Sequence, residues 1–250
     1  LQGILILLPG RGEDPKKVFM KTSIPNALRA KGFLTIVPEL EYSLFADELI
    51  KKQLGEILKI ESNHSVNLVL GGYSAGGSVA VSYAEHLLSR DTISDLKCVF
   101  ALDPPLDLQR VYVTSKRWMH YQCDVLVADG EQTINYLNRA LGGSPEDKYE
   151  NYVSLSPFLA SAADGGNAQW LKRIPIRLYT EPDLDFVKNR FCQELTLDDL
   201  NVTDLEKLDR VLKKAGNTHC EYIITKGKGY HSWRMADPTD LAEWVVKFSH

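Results

Sequence analysis

Four cysteines in 250 residues, Cys98, Cys123, Cys192 and Cys220, form no Cys-x-x-Cys pair, so zinc and dithiol redox motifs are not expected. Their even number permits bridges, but a chain this long does not need them. Cys98 and Cys220 fall in apparent strands and read as buried apolar side chains. No apolar run reaches the roughly 18–20 residues that a membrane-crossing helix requires. There is no basic excess either: 29 Lys and Arg face 33 Asp and Glu, a net charge of −4. Nucleic acid is therefore not an expected partner, because phosphate binding asks for a dense positive field. The apolar opening, residues 1–8, lacks the basic start and small-residue cleavage site of an export signal and reads as a buried strand. The chain opens on Leu, so an upstream segment stays open. The compartment stays open with it, leaning to the cytoplasm. Internal repeats, low-complexity tracts and interdomain linkers are also missing.

What is present is an alternation. Short apolar runs at residues 4–8, 34–37, 66–70, 98–102, 174–179 and 220–225 end on turn-forming or polar residues. Largely apolar rather than apolar at every second position, they fit parallel strands covered on both faces. Helical spacing lies between them. Phe45, Leu49, Leu54, Ile57 and Leu58 share one face, as do Val79, Tyr83, Ala84, Leu87 and Leu88. Thr203 and Glu206 have capping-box spacing ahead of Leu205, Leu208 and Leu212, with Gly216 placed to end that helix. Asp237-Pro238 reads as the cap and first turn of a last helix. The fold class expected is α/β, a mostly parallel central sheet with helices on both faces. Residues 104–171 break the rhythm with no apolar strand and many aromatics. A stretch that long reads as a cap inserted into one domain spanning 1–250.

Gly72-Tyr73-Ser74-Ala75-Gly76 follows one strand and precedes a helix, the strand-turn-helix setting in which a serine hydroxyl stands exposed above a sheet. A nucleophilic serine needs a base. Six histidines are available: His64, His86, His120, His219, His231 and His250. His64 and His219 precede strands and belong at the opposite edge. His86 is within a helix, His250 is terminal, and His120 lies in the insertion, from where it could face the pocket. His231 follows the last strand, at the edge where all parallel strands end together, and is the expected base. The acid that orients it is sought in the loop after residues 174–179, where Asp183 is the first choice and Asp185 and Glu181 the reserves; Asp103, at the preceding strand's end, is a further candidate. The backbone N–H of Ala75, with that of Arg11 or next Gly12, would hold an oxyanion. Tyr73, beside the serine, and Gly12 are read as facing substrate. An arginine on a loop such as Arg11 is more often solvated than bound to an acidic group.

These residues resemble the α/β-hydrolase superfamily in Leu8-Pro9-Gly10-Arg11-Gly12, in the run from Gly72 to Gly77, in the run from Thr180 to Asp183, and in Tyr230-His231-Ser232. A weaker likeness to esterases and peptidases near the prolyl-oligopeptidase group lies in Leu141-Gly142-Gly143-Ser144-Pro145, Tyr152 and Ser156-Pro157. The resemblance implies hydrolysis of an ester, thioester or amide through an acyl-enzyme on Ser74, with a small acyl substrate and no metal or organic cofactor. A carboxylic ester is favoured, and a peptidase, a thioesterase or a non-catalytic binding protein on the same fold are the alternatives. Two departures stand out. Pro9 replaces the histidine usual ahead of the oxyanion glycine, and the two strands that normally precede this loop's strand have no counterpart. Oligomeric state is not legible.

Overall fold

The computed structural model describes residues 1–61, 67–90 and 95–249. His64, Val66 and His250, which entered the reading above, lie outside the described residues. Six parallel strands form one sheet: β1 (Gly3–Leu8), β2 (Phe33–Ile36), β3 (Asn67–Tyr73), β4 (Leu96–Leu102), β5 (Ile176–Thr180) and β6 (Cys220–Ile224), in the order β2-β1-β3-β4-β5-β6. This is the α/β class expected.

The helices are α1 (Pro15–Lys21), α2 (Ile24–Ala30), α3 (Glu48–Glu61), α4 (Ala75–Ser89), α5 (Leu108–Trp118), α6 (Asp124–Leu141), α7 (Tyr149–Leu155), α8 (Leu184–Arg190), α9 (Val202–Lys214) and α10 (Pro238–Phe248). Each apolar strand serves two cores. Ile4, Ile6 and Leu8 of β1 belong to one core cluster with Leu54 of α3, Val79 and Tyr83 of α4, and Leu205 and Leu208 of α9. Leu5 and Leu7 pack on the other face with Leu28 of α2 and Leu241 and Val245 of α10. A strand covered on both faces gains nothing from polar alternation, which explains the unbroken runs of β1 and of residues 98–102 in β4.

Local chemistry sets the helix ends. Asp237 caps α10, its side chain accepting from the backbone N–H groups of Thr239 and Asp240, with Pro238 in the first turn. The expected start of α9 is corrected. Thr203 lies inside the helix, which begins after Asn201, and the capping box forms upstream between Thr196 and Asp199. Gly216, at φ 90°, follows the end of α9 as expected.

Of the bridges that the even cysteine count permits, one forms, and Cys98 and Cys220 are buried as expected. Cys123, which precedes α6, is bridged to Cys192 just beyond α8, while Cys98 and Cys220 are free. The bridge lies within an apolar cluster with Leu126, Val187 and Leu195. Among the described residues no helix is long and apolar enough to cross a membrane.

Register places the site. Leu8 pairs with Gly72, Tyr73 with Leu102, Leu102 with Tyr179, and Thr180 with Ile224. The segments beginning at Pro9, Ser74, Asp103, Glu181 and Thr225 therefore all leave the same edge of the sheet.

Candidate active site

The turn from β3 into α4 is built by close approach. A Cβ on Gly72 would meet the Gly76 carbonyl oxygen at 2.3 Å, and one on Gly76 would meet the Leu8 and Pro9 carbonyl oxygens at 2.3 Å. Only glycine fits at either position. The turn so made holds Ser74 at φ 54°, ψ −126°, outside the regions L-residues normally occupy. Four described non-glycine residues have positive φ, namely Ser74, Asp103, Asp164 and His231, and three of these meet at one point. Backbone strain of this kind costs free energy and persists where surrounding packing imposes it, most often at functional sites.

The meeting is a hydrogen-bonded chain. Ser74 Oγ lies 2.9 Å from His231 Nε2, and His231 Nδ1 lies 2.6 Å from Asp103 Oδ2. An ionised carboxylate only accepts, so the imidazole proton is assigned to Nδ1, leaving Nε2 to accept from Ser74. Asp103 is 2% exposed and His231 keeps side-chain access to solvent at 30%. Asp103 Oδ1 accepts from Thr180 Oγ1 at 2.7 Å, and its carbonyl accepts from Asn201 Nδ2 at 2.9 Å. The carboxylate is thus fixed at both oxygens before any ligand arrives.

The first choice of acid is corrected in favour of the further candidate, Asp103. Asp183 is the N-cap of α8, its side chain accepting from the Phe186 backbone N–H at 2.9 Å. Asp185 lies in the first turn of that helix. Neither faces the histidine; the carboxylate on His231 Nδ1 is Asp103, one strand earlier. Tyr73 is corrected as well. Its hydroxyl donates to the His231 carbonyl at 2.5 Å, and its ring packs 4.9 Å from His231 and 5.0 Å from Trp233. It braces the histidine segment and takes no part in the cavity wall. His219 packs on Phe248, away from the site, and His86 stacks on Tyr83 within α4.

Ser74, Ala75, Arg11 and His231 open onto one cavity of about 680 Å3. Ala75 is the first residue of α4, so its N–H is among the donors a helix start leaves free. Arg11 is not a solvated loop side chain. Its guanidinium pairs with Asp129 of α6 at 3.0 Å and lies 5.1 Å from the centre of the Tyr42 ring. Gly12 lines a neighbouring cavity of about 420 Å3 instead, with which Arg11, Tyr42 and Ala75 are shared. The remainder of the main cavity mixes Val111, Val125, Leu126 and Phe191 with the polar Thr114, Gln132 and Thr133. Burial pushes the Tyr230 hydroxyl pKa well up, so this tyrosine beside His231 stays neutral. Among the described residues, His, Cys, Asp and Glu side chains form no group that could hold a metal.

Three contributors went unread in the sequence. Glu13 ties the loop after β1 to the histidine segment, accepting from the Gly10 N–H at 2.9 Å and from Trp233 Nε1 at 3.1 Å. Thr180 and Asn201 hold Asp103. Nothing in their local spacing distinguishes them, since each acts across more than 75 positions of the chain.

No family model matches the chain, and no curated protein matches it in sequence. Solved structures do. One is carboxyl esterase 2 from the mycorrhizal fungus Tuber melanosporum, with TM-score 0.61 and 17% identity over 100% of this chain and 80% of that one. The Pyrococcus furiosus esterase Pf2001 gives TM-score 0.60 and 12% identity over 100% and 83%. A hormone-sensitive lipase from a metagenome library gives 0.58 and 15% over 100% and 78%. The likeness is one of fold. The all-parallel sheet with flanking helices is the α/β-hydrolase fold that those structures share.

Proposed function

We propose that the protein is a serine hydrolase that cleaves a carboxylic ester through an acyl-enzyme on Ser74. The observation that carries this is the continuous chain Ser74 Oγ–His231 Nε2, His231 Nδ1–Asp103 Oδ2, at 2.9 and 2.6 Å, opening onto a cavity. Ester hydrolysis is also the activity in the names of several proteins sharing the fold.

His231 takes the Ser74 proton as Oγ attacks the substrate carbonyl, and Asp103 stabilises the imidazolium that forms. The N–H groups of Ala75 and Arg11 receive the oxyanion. The alcohol leaves with the proton from His231. Water then repeats the sequence at the acyl carbonyl and frees the acid and Ser74. Residues 104–171 act as a cap. Val111 of α5 and Val125 and Leu126 of α6 give the acyl group an apolar wall.

The test is labelling with a fluorophosphonate, with mass mapping of the adduct. A single adduct on Ser74 is expected in the wild type, none in Ser74→Ala, and a strongly slowed one in His231→Ala. Either substitution lowers ester turnover by on the order of 10³-fold or more, since such groups act as a unit. Acetyl, butyryl and longer acyl esters, thioesters and peptide amides, compared side by side, separate the esterase from the thioesterase and peptidase readings. A folded wild type that takes no adduct, or a Ser74→Ala variant of full activity, overturns the proposal in favour of a binding protein.

A further inference from the structure

A second buried carboxylate stands at the end of β5. Glu181 directly follows Thr180, the last residue of that strand, and is 3% exposed. It does not face His231. Its Oε2 accepts from Thr225 Oγ1 at 2.8 Å and from the Lys228 N–H at 2.9 Å, and its Oε1 accepts from the Gly229 N–H at 2.8 Å. Thr225 is tied a second time, its N–H donating to the Thr180 carbonyl at 2.8 Å. The segment so gripped, residues 225–229, has no regular structure of its own. It runs from the end of β6 straight into Tyr230 and His231. Gly227 and Gly229 stand at φ 72° and 99°, which curls their N–H groups around the carboxylate as a nest.

We propose that Glu181 is the positioning residue of the catalytic histidine. It acts through the backbone of residues 225–229 and holds His231 Nε2 in line with Ser74 Oγ. The proposal rests on the reading of His231 as the base. Two grips then meet at the histidine: Glu181 holds the segment before it, and the Tyr73 hydroxyl holds its carbonyl. Asp103 alone cannot supply this, because it fixes the ring and not the chain that carries the ring. A loop of glycines and lysines, Lys226-Gly227-Lys228-Gly229, has no side chain that could pack it in place. A buried carboxylate with several acceptor sites can gather three N–H and O–H donors at once.

The experiment compares wild type, Glu181→Gln and Thr225→Val in three measurements. These are steady-state ester hydrolysis, the rate of fluorophosphonate labelling of Ser74, and amide hydrogen exchange. Glu181→Gln turns a donor toward N–H groups that need an acceptor. Its kcat and labelling rate, per folded molecule, are expected to fall by on the order of 10- to 100-fold, the cost of a misplaced catalytic group. KM should stay within about twofold, because ground-state binding is untouched. Exchange at Lys228 and Gly229 should accelerate while Val69 and Leu70 in β3 hold their protection. Thr225→Val removes a single hydroxyl donor, and the same changes are expected at smaller size. It decides the matter if Glu181→Gln does not fold. Wild-type rates in the folded variants overturn the proposal, as does unchanged exchange at Lys228 and Gly229. A wild type that never labels overturns the catalytic reading first, and the two failures are told apart by that control.

Discussion

The ends of β4 and β5 are neighbours in the sheet, and each carries a buried carboxylate, Asp103 at 2% exposure and Glu181 at 3%. Their surroundings differ in kind. Asp103 meets side chains, an imidazole and a hydroxyl. Glu181 meets mainly backbone N–H groups of the segment leading to His231. In the proposed reaction, an imidazole beside a carboxylate is oriented and its charged form stabilised. Amides beside a carboxylate make a clamp. Position along the chain does not choose between these roles; the donors that face the acid do. Splitting the two tasks over two strands also separates their failures, since one variant leaves the ring unoriented and the other leaves its loop unheld.

The largest effect that tests this division belongs to Asp103→Asn. The amide keeps the shape but presents the wrong partner to Nδ1, so Nε2 no longer accepts from Ser74 in the stable tautomer. A loss of roughly 10³–10⁴-fold in kcat/KM is expected on any ester the wild type turns over, with the fold retained. A drop no larger than that of Glu181→Gln would erase the distinction between the two carboxylates.

A smaller effect sharpens it through pH. Burial by itself would raise the Glu181 carboxyl pKa, but hydrogen bonds from Thr225 and from the N–H groups of Gly229, Lys228 and Gly227 outweigh it and hold it below the ordinary value. A pKa lowered in the folded state adds stability that is fully present above the unfolded value, about 4.3 for glutamate. That stability is lost as pH falls through the folded value. Wild type should therefore lose stability from about pH 5 downward more steeply than Glu181→Gln, as followed by urea unfolding at a series of pH values. Parallel acid limbs for the two proteins would show that Glu181 is not held as an ion.

Much of this was legible in the sequence. Runs such as Ile4 to Leu8 fix buried parallel strands because both faces are covered. Gly72 and Gly76 mark the turn into α4 by their spacing around Ser74, and the meeting of Ser74 with His231 follows from strand ends that share one edge. The carboxylate on His231 was legible only as one of four candidates, Asp103 behind Asp183, Asp185 and Glu181, and for a physical reason. Asp103 and Asp183 each follow a strand and each accept hydrogen bonds, and a helix cap and a triad acid ask for the same residue. The backbone at Asp103, at φ 47°, marks it apart, and a single sequence carries no record of φ at a non-glycine residue. The Cys123–Cys192 bridge spans 69 positions, so only folding reveals that the two thiols meet. Tyr73 looked like a wall of the site because it adjoins Ser74, but successive side chains at a strand end point to opposite sides.

The smallest expected effect is the most direct check on the loop after β5. Asp183→Ala removes the side-chain acceptor at the start of α8, a change that costs about 1 kcal/mol at a typical cap. For a domain of this size that is a fall of about 2–4 °C in Tm. The far end of α8 runs into Phe191, which lines the cavity, and Cys192, which is bridged to Cys123. The bridge holds that end while the capped end frays, so the cavity wall keeps its place. Ester turnover by Asp183→Ala should then stay within about threefold of wild type, the size expected when no group touching the reacting atoms is lost. A loss comparable to that of Asp103→Asn would return the acid to the loop after β5. A modest Tm shift with turnover preserved leaves Asp183 as a helix cap and Asp103 as the partner of His231.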